Sequence, residues 1–496
     1  MHDEVGKLVS SSRIVGKDPL PDGVILHLRP TLQARSIIPL KKLSKEIAAE
    51  VSQEVIPPTG TGNIPVILIN FSDRTTTYSG GAFNTLLFGT GNNSMKDYYQ
   101  EVSYGNFSVS GGVTGWYTAS YTHDYYGQND EKGEDMWPGT LVREAVAEAD
   151  AHGFYFAPYD QDGDCYVDVV AIIHQGSGEE ASGTATTDIW SHSWNLNSAY
   201  YKGYSNGGEY TTNDICPYGN YINIKVNSYI IQPETLLNGM ETMGVFAHEY
   251  GHALGLPDLY DTDDSSSGIG NWSLMGFGSW NYVNRRGDCP AHMDAWCKYK
   301  LQWVTPTRVS GTLTNEPITQ AATNADVYQM LNGSPSTGGE YFLIENRQKI
   351  GFDQGLPGAG LLIWHIDESI SNNTNEWYPG CSTCTSHYHV SLEEADNLWN
   401  LEKNENRGDT GDPYPGLAGS TSFTDSSSPN SRLYNGNPSD VSVIDISASG
   451  STMTATLAGA TSDCSNWNDV IAKYNSYVIG QAFWRDVITC YSEYAT

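Results

Sequence analysis

The sequence predicts an α/β (α+β) unit, then a β-rich segment, then a small terminal helical hairpin. Three observations carry this reading. Continuous apolar stretches at 64–71 and 167–174 alternate with helical patterning in the first part of the chain. Short strands separated by turns dominate from about 306 to 460. Near the end, Trp467-Asn-Asp-Val-Ile returns 17 residues later as Trp484-Arg-Asp-Val-Ile.

Taken in order, residues 1–60 hold one weak strand pattern at 24–28 and an amphipathic stretch at 40–55. They carry eight Lys/Arg against seven Asp/Glu, so nearly all the negative excess lies downstream. A Pro57-Pro-Thr-Gly-Thr-Gly62 breaker follows. Ile64-Pro-Val-Ile-Leu-Ile-Asn-Phe71 is apolar without alternation, as expected of a strand covered on both faces. Helical patterning at 94–101, 139–152 and about 242–254 completes one α/β unit over 61–305. The stretches 341–345, 360–365 and the alternating 441–457 place a β-rich unit at 306–460. In the repeat of 461–496, Trp467, Val470, Ile471 and Tyr474 share one helical face, and the second copy follows suit. Two such helices joined near Gly480, with Cys464 and Cys490 placed to staple them, make a capping or docking module.

A chain of 496 residues exceeds one ordinary core, and 39% hydrophobic with 11% aromatic residues excludes disorder for most of it. The formal charge of −32 argues against nucleic acid or an anionic membrane as partner, since both require a basic face. Bound cations would relieve such a charge. The longest apolar run is of strand length, so no membrane span is expected. Eight cysteines, an even and scattered set, point to paired disulfides in an oxidising compartment. Residues 1–20 contain no signal-peptide apolar core, so a secreted form would have lost its signal already.

The most informative segment is Ala247-His-Glu-Tyr-Gly-His-Ala-Leu-Gly-Leu-Pro-Asp258. At i and i+4 of a helix, His248 and His252 share a face and can offer imidazoles to one zinc ion. Glu249, one step round, reaches a water on the metal without becoming a ligand. Gly255 can end the helix at positive φ and let Asp258 approach as a third, oxygen ligand. An ordinary amphipathic helix with two unrelated histidines is the alternative.

Asp160, Asp162, Asp164, Tyr166 and Asp168 fall at alternating positions, the pattern of an oxygen cage for calcium. Cys165 stands where such a loop normally has glycine, and a solvated Asp-Gly turn is the competing reading. Asp261, Asp263 and Asp264 suit a second ion or a plain acidic loop equally well.

With Asp258-Leu-Tyr-Asp261 and Trp272-Ser-Leu-Met-Gly-Phe-Gly-Ser-Trp280 following the helix, the sequence resembles the M6, immune inhibitor A-type metallopeptidases. The blocks at 64–73, 98–105, 341–347 and 356–365 extend the likeness over roughly 60–460. The resemblance implies a metzincin-like, extracellular zinc endopeptidase acting on protein or peptide substrates, often with structural calcium. It implies that Met275 forms an apolar floor beneath the ligands, and that residues 1–60 are a pro-segment. That segment contains no cysteine, so a cysteine switch to the zinc is excluded. Phe277 stands where many metzincins carry a tyrosine, which leaves the oxyanion partner unassigned; Tyr282 and His292 lie downstream but read as structural. In the implied chemistry zinc acidifies a water and polarises the scissile carbonyl, while Glu249 takes the proton and passes it to the leaving amine. A catalytically silent binding protein on the same scaffold is the runner-up.

Overall fold

The computed structural model describes residues 56–459, apart from 92, 132, 183–186, 219–220 and 238. The strand at 24–28, the amphipathic stretch at 40–55 and the hairpin of 461–496 with Cys464 and Cys490 lie outside the described residues.

The central sheet is built from β1 (Gly60–Asn70), β2 (Phe107–Thr118), β3 (Val170–Ser177), β4 (His192–Asn195) and β5 (Ser228–Leu236). Their spatial order is β2-β1-β3-β5-β4; β4 alone on this path runs antiparallel to its neighbour. The unbroken apolar run of β1 has a direct explanation. Its period-2 alternation sends Ile64, Val66 and Leu68 into one core, and Ile67 and Ile69 into another on the opposite face. In β3, Ala171 and Ile173 join the first core while Val170 and Ile172 join the second.

Helices cover both faces. Helix α1 (Met95–Val102) starts at a capping box in which Ser94 and Asp97 each bond the other's backbone. Together with α3 (Met243–Ala253) it packs on the first face. Helix α2 (Pro138–Ala151) packs its Leu141, Val142, Ala145, Val146 and Ala149 on the second. The stretch expected as one strand at 167–174 is divided. Tyr166–Val167 pairs with Asn223–Val226 in a separate small sheet, and the chain turns at Asp168 before β3 begins.

Downstream, β6 (Val327–Met330), β7 (Glu340–Arg347), β8 (Gly360–Asp367) and β9 (Val390–Leu392) form one sheet in that order, extended by Thr307–Arg308 beside β6. Phe342, Ile344, Leu361 and Ile363 face a four-stranded sheet that contains Thr312–Thr319 and Thr452–Ala458. The other face, with Tyr341, Leu343, Trp364 and Ile366, joins the core beneath α1 and α3. The β-rich segment is therefore fused to the α/β unit through shared apolar packing. Fully buried Arg347 on β7 reinforces the seam: it pairs with Asp353 and Glu345 and donates to the carbonyls of Trp272 and His292.

Complete cysteine pairing is not observed. Cys165–Cys216 and Cys381–Cys384 are bonded, whereas Cys289 and Cys297 are buried free thiols. Cys297 sits in the core on the short helix Ala295–Lys300, where a thiol acts as a small apolar side chain.

Candidate metal centre

Every residue of α3 is buried, and Met243, Phe246, Ala247, Tyr250 and Ala253 anchor it in the first core. Tyr99 on α1 donates its hydroxyl to the Ala247 carbonyl at 2.7 Å. Gly251 lets the helix descend onto Met275, whose Sδ would stand 2.6 Å from a Cβ at that position. Past the helix, Gly255 at φ +87° reverses the chain, and the Leu256 amide bonds back to the Gly251 carbonyl. The Leu259 amide then bonds the Met275 carbonyl at 2.8 Å, so the return loop is pinned to the segment below the helix.

This backbone path brings three predicted side chains together. His248 Nε2 lies 3.2 Å from His252 Nε2, and Asp258 Oδ1 lies 3.1 Å and 3.2 Å from the two nitrogens. Each Nδ1 faces a backbone carbonyl at 2.8 Å, Leu274 for His248 and Leu256 for His252. Those carbonyls hold the ring proton on Nδ1 and leave each neutral Nε2 an acceptor. Three acceptors thus converge, and only a proton or a cation can reconcile them. A tetrahedral zinc site with bonds of about 2.0–2.2 Å separates its ligand atoms by about 3.3–3.6 Å. The observed triangle is close to that size, and the donor set of two imidazoles and one carboxylate fits the ion.

Charge shifts follow from the same geometry. Burial lowers His248. Burial also works against a charged His252, but the Asp258 carboxylate outweighs it and lifts the ring to about 9. Burial likewise opposes a charged Asp258, yet the two imidazoles hold its carboxyl well below the usual range.

Glu249 is fully buried on the same helix, and neither carboxylate oxygen has a hydrogen-bond partner within ordinary reach. Burial pushes its pKa up to about 8 against the pull of His252. Met275 is buried beneath the helix at Gly251. Phe277 packs on Tyr260, whose ring lies 6.1 Å from that of His248. Tyr260 is an aromatic neighbour that sequence reasoning passed over; its place two residues after Asp258 was the available signal. His292 is engaged elsewhere, with Glu101 at 2.9 Å and Lys298 at 3.1 Å, and Tyr282 is exposed beside Arg286.

In the acidic loop, Asp160, Asp162 and Asp168 each bring a carboxylate oxygen within 4.8 Å of the others. Cys165 has φ +74°, the conformation glycine usually supplies at that loop position. Asp168 Oδ2 is buried without a hydrogen-bond partner, and burial pushes this carboxyl up to about 7. Asp164 instead accepts from the Tyr166 amide, and the Tyr166 hydroxyl reaches Glu209. Asp261 accepts from Ser265 and Ser266.

Two histidines one turn apart and an acid just beyond the helix could together hold a metal ion, with a buried glutamate on the same helix. Residues 75–304 match the family model described as Immune inhibitor A peptidase M6, catalytic domain. Pre-pro-metalloprotease PrtV of Vibrio cholerae is 35% identical over 228 residues, which cover 42% of this chain and 23% of that protein. Immune inhibitor A of Bacillus thuringiensis subsp. alesti is 37% identical over 209 residues, covering 38% of this chain and 28% of that one. The chain thus spans about a quarter of the length of the curated relatives it matches. PrtV is by its name a metalloprotease, and among the described residues of this chain His248, His252 and Asp258 are one group whose atoms could hold a metal ion. No described helix is long and apolar enough to cross a membrane.

Proposed function

We propose that the protein is a secreted zinc-dependent endopeptidase acting on protein or peptide substrates. One observation carries the reading: three acceptor atoms meet at 3.1–3.2 Å while an unpartnered glutamate sits on the same helix. His248, His252 and Asp258 hold the zinc, and Met275 supports the helix that carries the two histidines. When bound, the ion acidifies a water and polarises the scissile carbonyl. Glu249 accepts the water's proton and delivers it to the leaving amine; its lack of other partners keeps both oxygens available for this. The Leu274 and Leu256 carbonyls fix both rings in the tautomer that presents Nε2. Phe277 has no hydroxyl to stabilise an oxyanion, so that task falls to another group.

Calcium held by Asp160, Asp162 and Asp168, with Asp164 and Tyr166 completing the loop, accounts for the orphaned oxygen of Asp168. Two disulfides support passage through an oxidising compartment. Residues 1–60 act as a pro-segment that must be removed before activity appears.

Casein cleavage tests the reading, with residues 1–60 removed by limited proteolysis. The wild type is expected to cleave, and a zinc chelator or Glu249→Ala to abolish cleavage. No cleavage by wild type, or equal cleavage by Glu249→Ala, overturns it.

A further inference from the structure

Away from α3, the stretch 393–412 gathers acids at unusual depth. Glu394 and Asp412 are buried, Asp396 is half-buried, and one carboxylate oxygen from each lies within 4.8 Å of the others. Glu402, fully inside the protein, faces Glu394, and its Oε2 has no hydrogen-bond partner. Asp412 Oδ1 has none either, while Oδ2 accepts from Trp272 Nε1 at 2.9 Å and from the Asp409 amide at 3.1 Å. Glu394 accepts from the amides of Asn400 and Leu401, and Asp396 from that of Leu398. These amides orient the carboxylates without neutralising them. Among the described residues, no Lys, Arg or His pairs with any of the four. Burial and the neighbouring acids push Glu394 up to about 7 and Asp412 up to about 8.

We propose that Glu394, Asp396 and Asp412 form a further cation site for a hard divalent ion of calcium's class, separate from the histidine centre and from the 160–168 loop. Calcium takes oxygen ligands at about 2.3–2.6 Å, so oxygens on opposite sides of one ion stand about 5 Å apart. The three carboxylate oxygens lie within 4.8 Å of one another, inside that limit. An all-oxygen donor set disfavours zinc, which prefers nitrogen and sulfur. A divalent ion neutralises two charges and gives the orphaned Asp412 Oδ1 a partner, whereas a proton shared between two acids neutralises one.

The site's position gives it a structural consequence. Asp412 holds the Trp272 indole, and Trp272 lies two residues before Leu274, whose carbonyl fixes the His248 ring. The Gly408 backbone also lies against that indole, where a Cβ would stand 2.5 Å from Nε1. An ion at this site therefore clamps 393–412 to the segment that supports the histidine centre.

Calorimetric titration of calcium alone into the full chain, freed of divalent ions, tests the proposal. With the 160–168 loop silenced by Asp162→Asn and Asp168→Asn, about one calcium per chain should still bind and raise the melting temperature. Adding Asp396→Asn, at a half-buried position, should weaken that binding by at least about tenfold and remove the thermal gain. The proposal is overturned if the loop-silenced chain binds no calcium, or if Asp396→Asn leaves its isotherm unchanged. Should the loop-silenced chain not fold by circular dichroism, Asp396→Asn in the otherwise native chain decides: calcium stoichiometry drops by one, or the site does not exist.

Discussion

Replacing Gly251 by alanine tests how α3 is seated over Met275. A Cβ built at this position stands 2.6 Å from Met275 Sδ, 3.4 Å from its Cε and 3.8 Å from Met293 Cε. Ordinary contact distances are about 3.5–4.0 Å, so the overlap with sulfur is about 1 Å. Met275 and Met293 are both fully buried, and neither has solvent to move into. Overpacking of this kind costs about 1–3 kcal/mol, while the change from glycine to alanine inside a helix returns about 1 kcal/mol. The expected net result is a loss of up to about 2 kcal/mol, read as a lower urea midpoint at unchanged slope. If Met275 is the obstacle, Met275→Ala should couple favourably with Gly251→Ala, so that the double variant loses less than the two single losses added together. A Gly251→Ala protein more stable than wild type by about 1 kcal/mol would show propensity acting alone and refute the packing described.

Two further predictions concern charge. Arg347→Met strands Glu345 and Asp353 inside the protein and removes the donors to the Trp272 and His292 carbonyls, so it should cost about 3–5 kcal/mol in denaturant unfolding. A loss below about 1 kcal/mol would mean that this seam contributes little. In calcium-free protein, Asp168 has a folded pKa of about 7 against an ordinary 3.8, chiefly from burial. The folded state then holds the extra proton, so stability is greatest at low pH in this window and declines as pH rises from about 4 to about 7. Asp168→Asn should flatten that decline, as should saturating calcium. Thermal melts across the window check both, and an unchanged slope in each case counts against the loop as a cation site.

Much of this architecture is legible in one dimension because its causes are local. The unbroken apolar run of β1 announces a strand with a core on each face, and β1 has both. The helix that carries His248 and His252 spans Met243–Ala253 with Thr242 and Leu254 as its caps, the limits that periodicity and Gly255 suggest. Other features depend on contacts distant in sequence, and no window along the chain contains them. The ring tautomer of His248 is set by a carbonyl 26 residues away. Arg347 looks like a surface charge until β7 carries it into the seam with Trp272 and His292. Glu394, Asp396 and Asp412 are ordinary acids in sequence, and only the folding of 393–412 onto Trp272 brings them together. Cys289 and Cys297 belong to an even cysteine set that suggests pairing, but the core holds both as thiols. The stretch expected as one strand at 167–174 is divided because Tyr166–Val167 pairs with the sequence-distant Asn223–Val226 in another sheet.

The proposed endopeptidase activity requires that His248, His252 and Asp258 bind one zinc ion. X-ray absorption at the zinc edge, on full chain loaded with one equivalent of zinc, measures this directly. The expected spectrum has a first shell of nitrogen and oxygen at about 2.0–2.2 Å with outer-shell scattering from two imidazoles, reduced to one imidazole in His252→Ala. A sulfur shell at about 2.3 Å, or a spectrum that His252→Ala leaves unchanged, would contradict it.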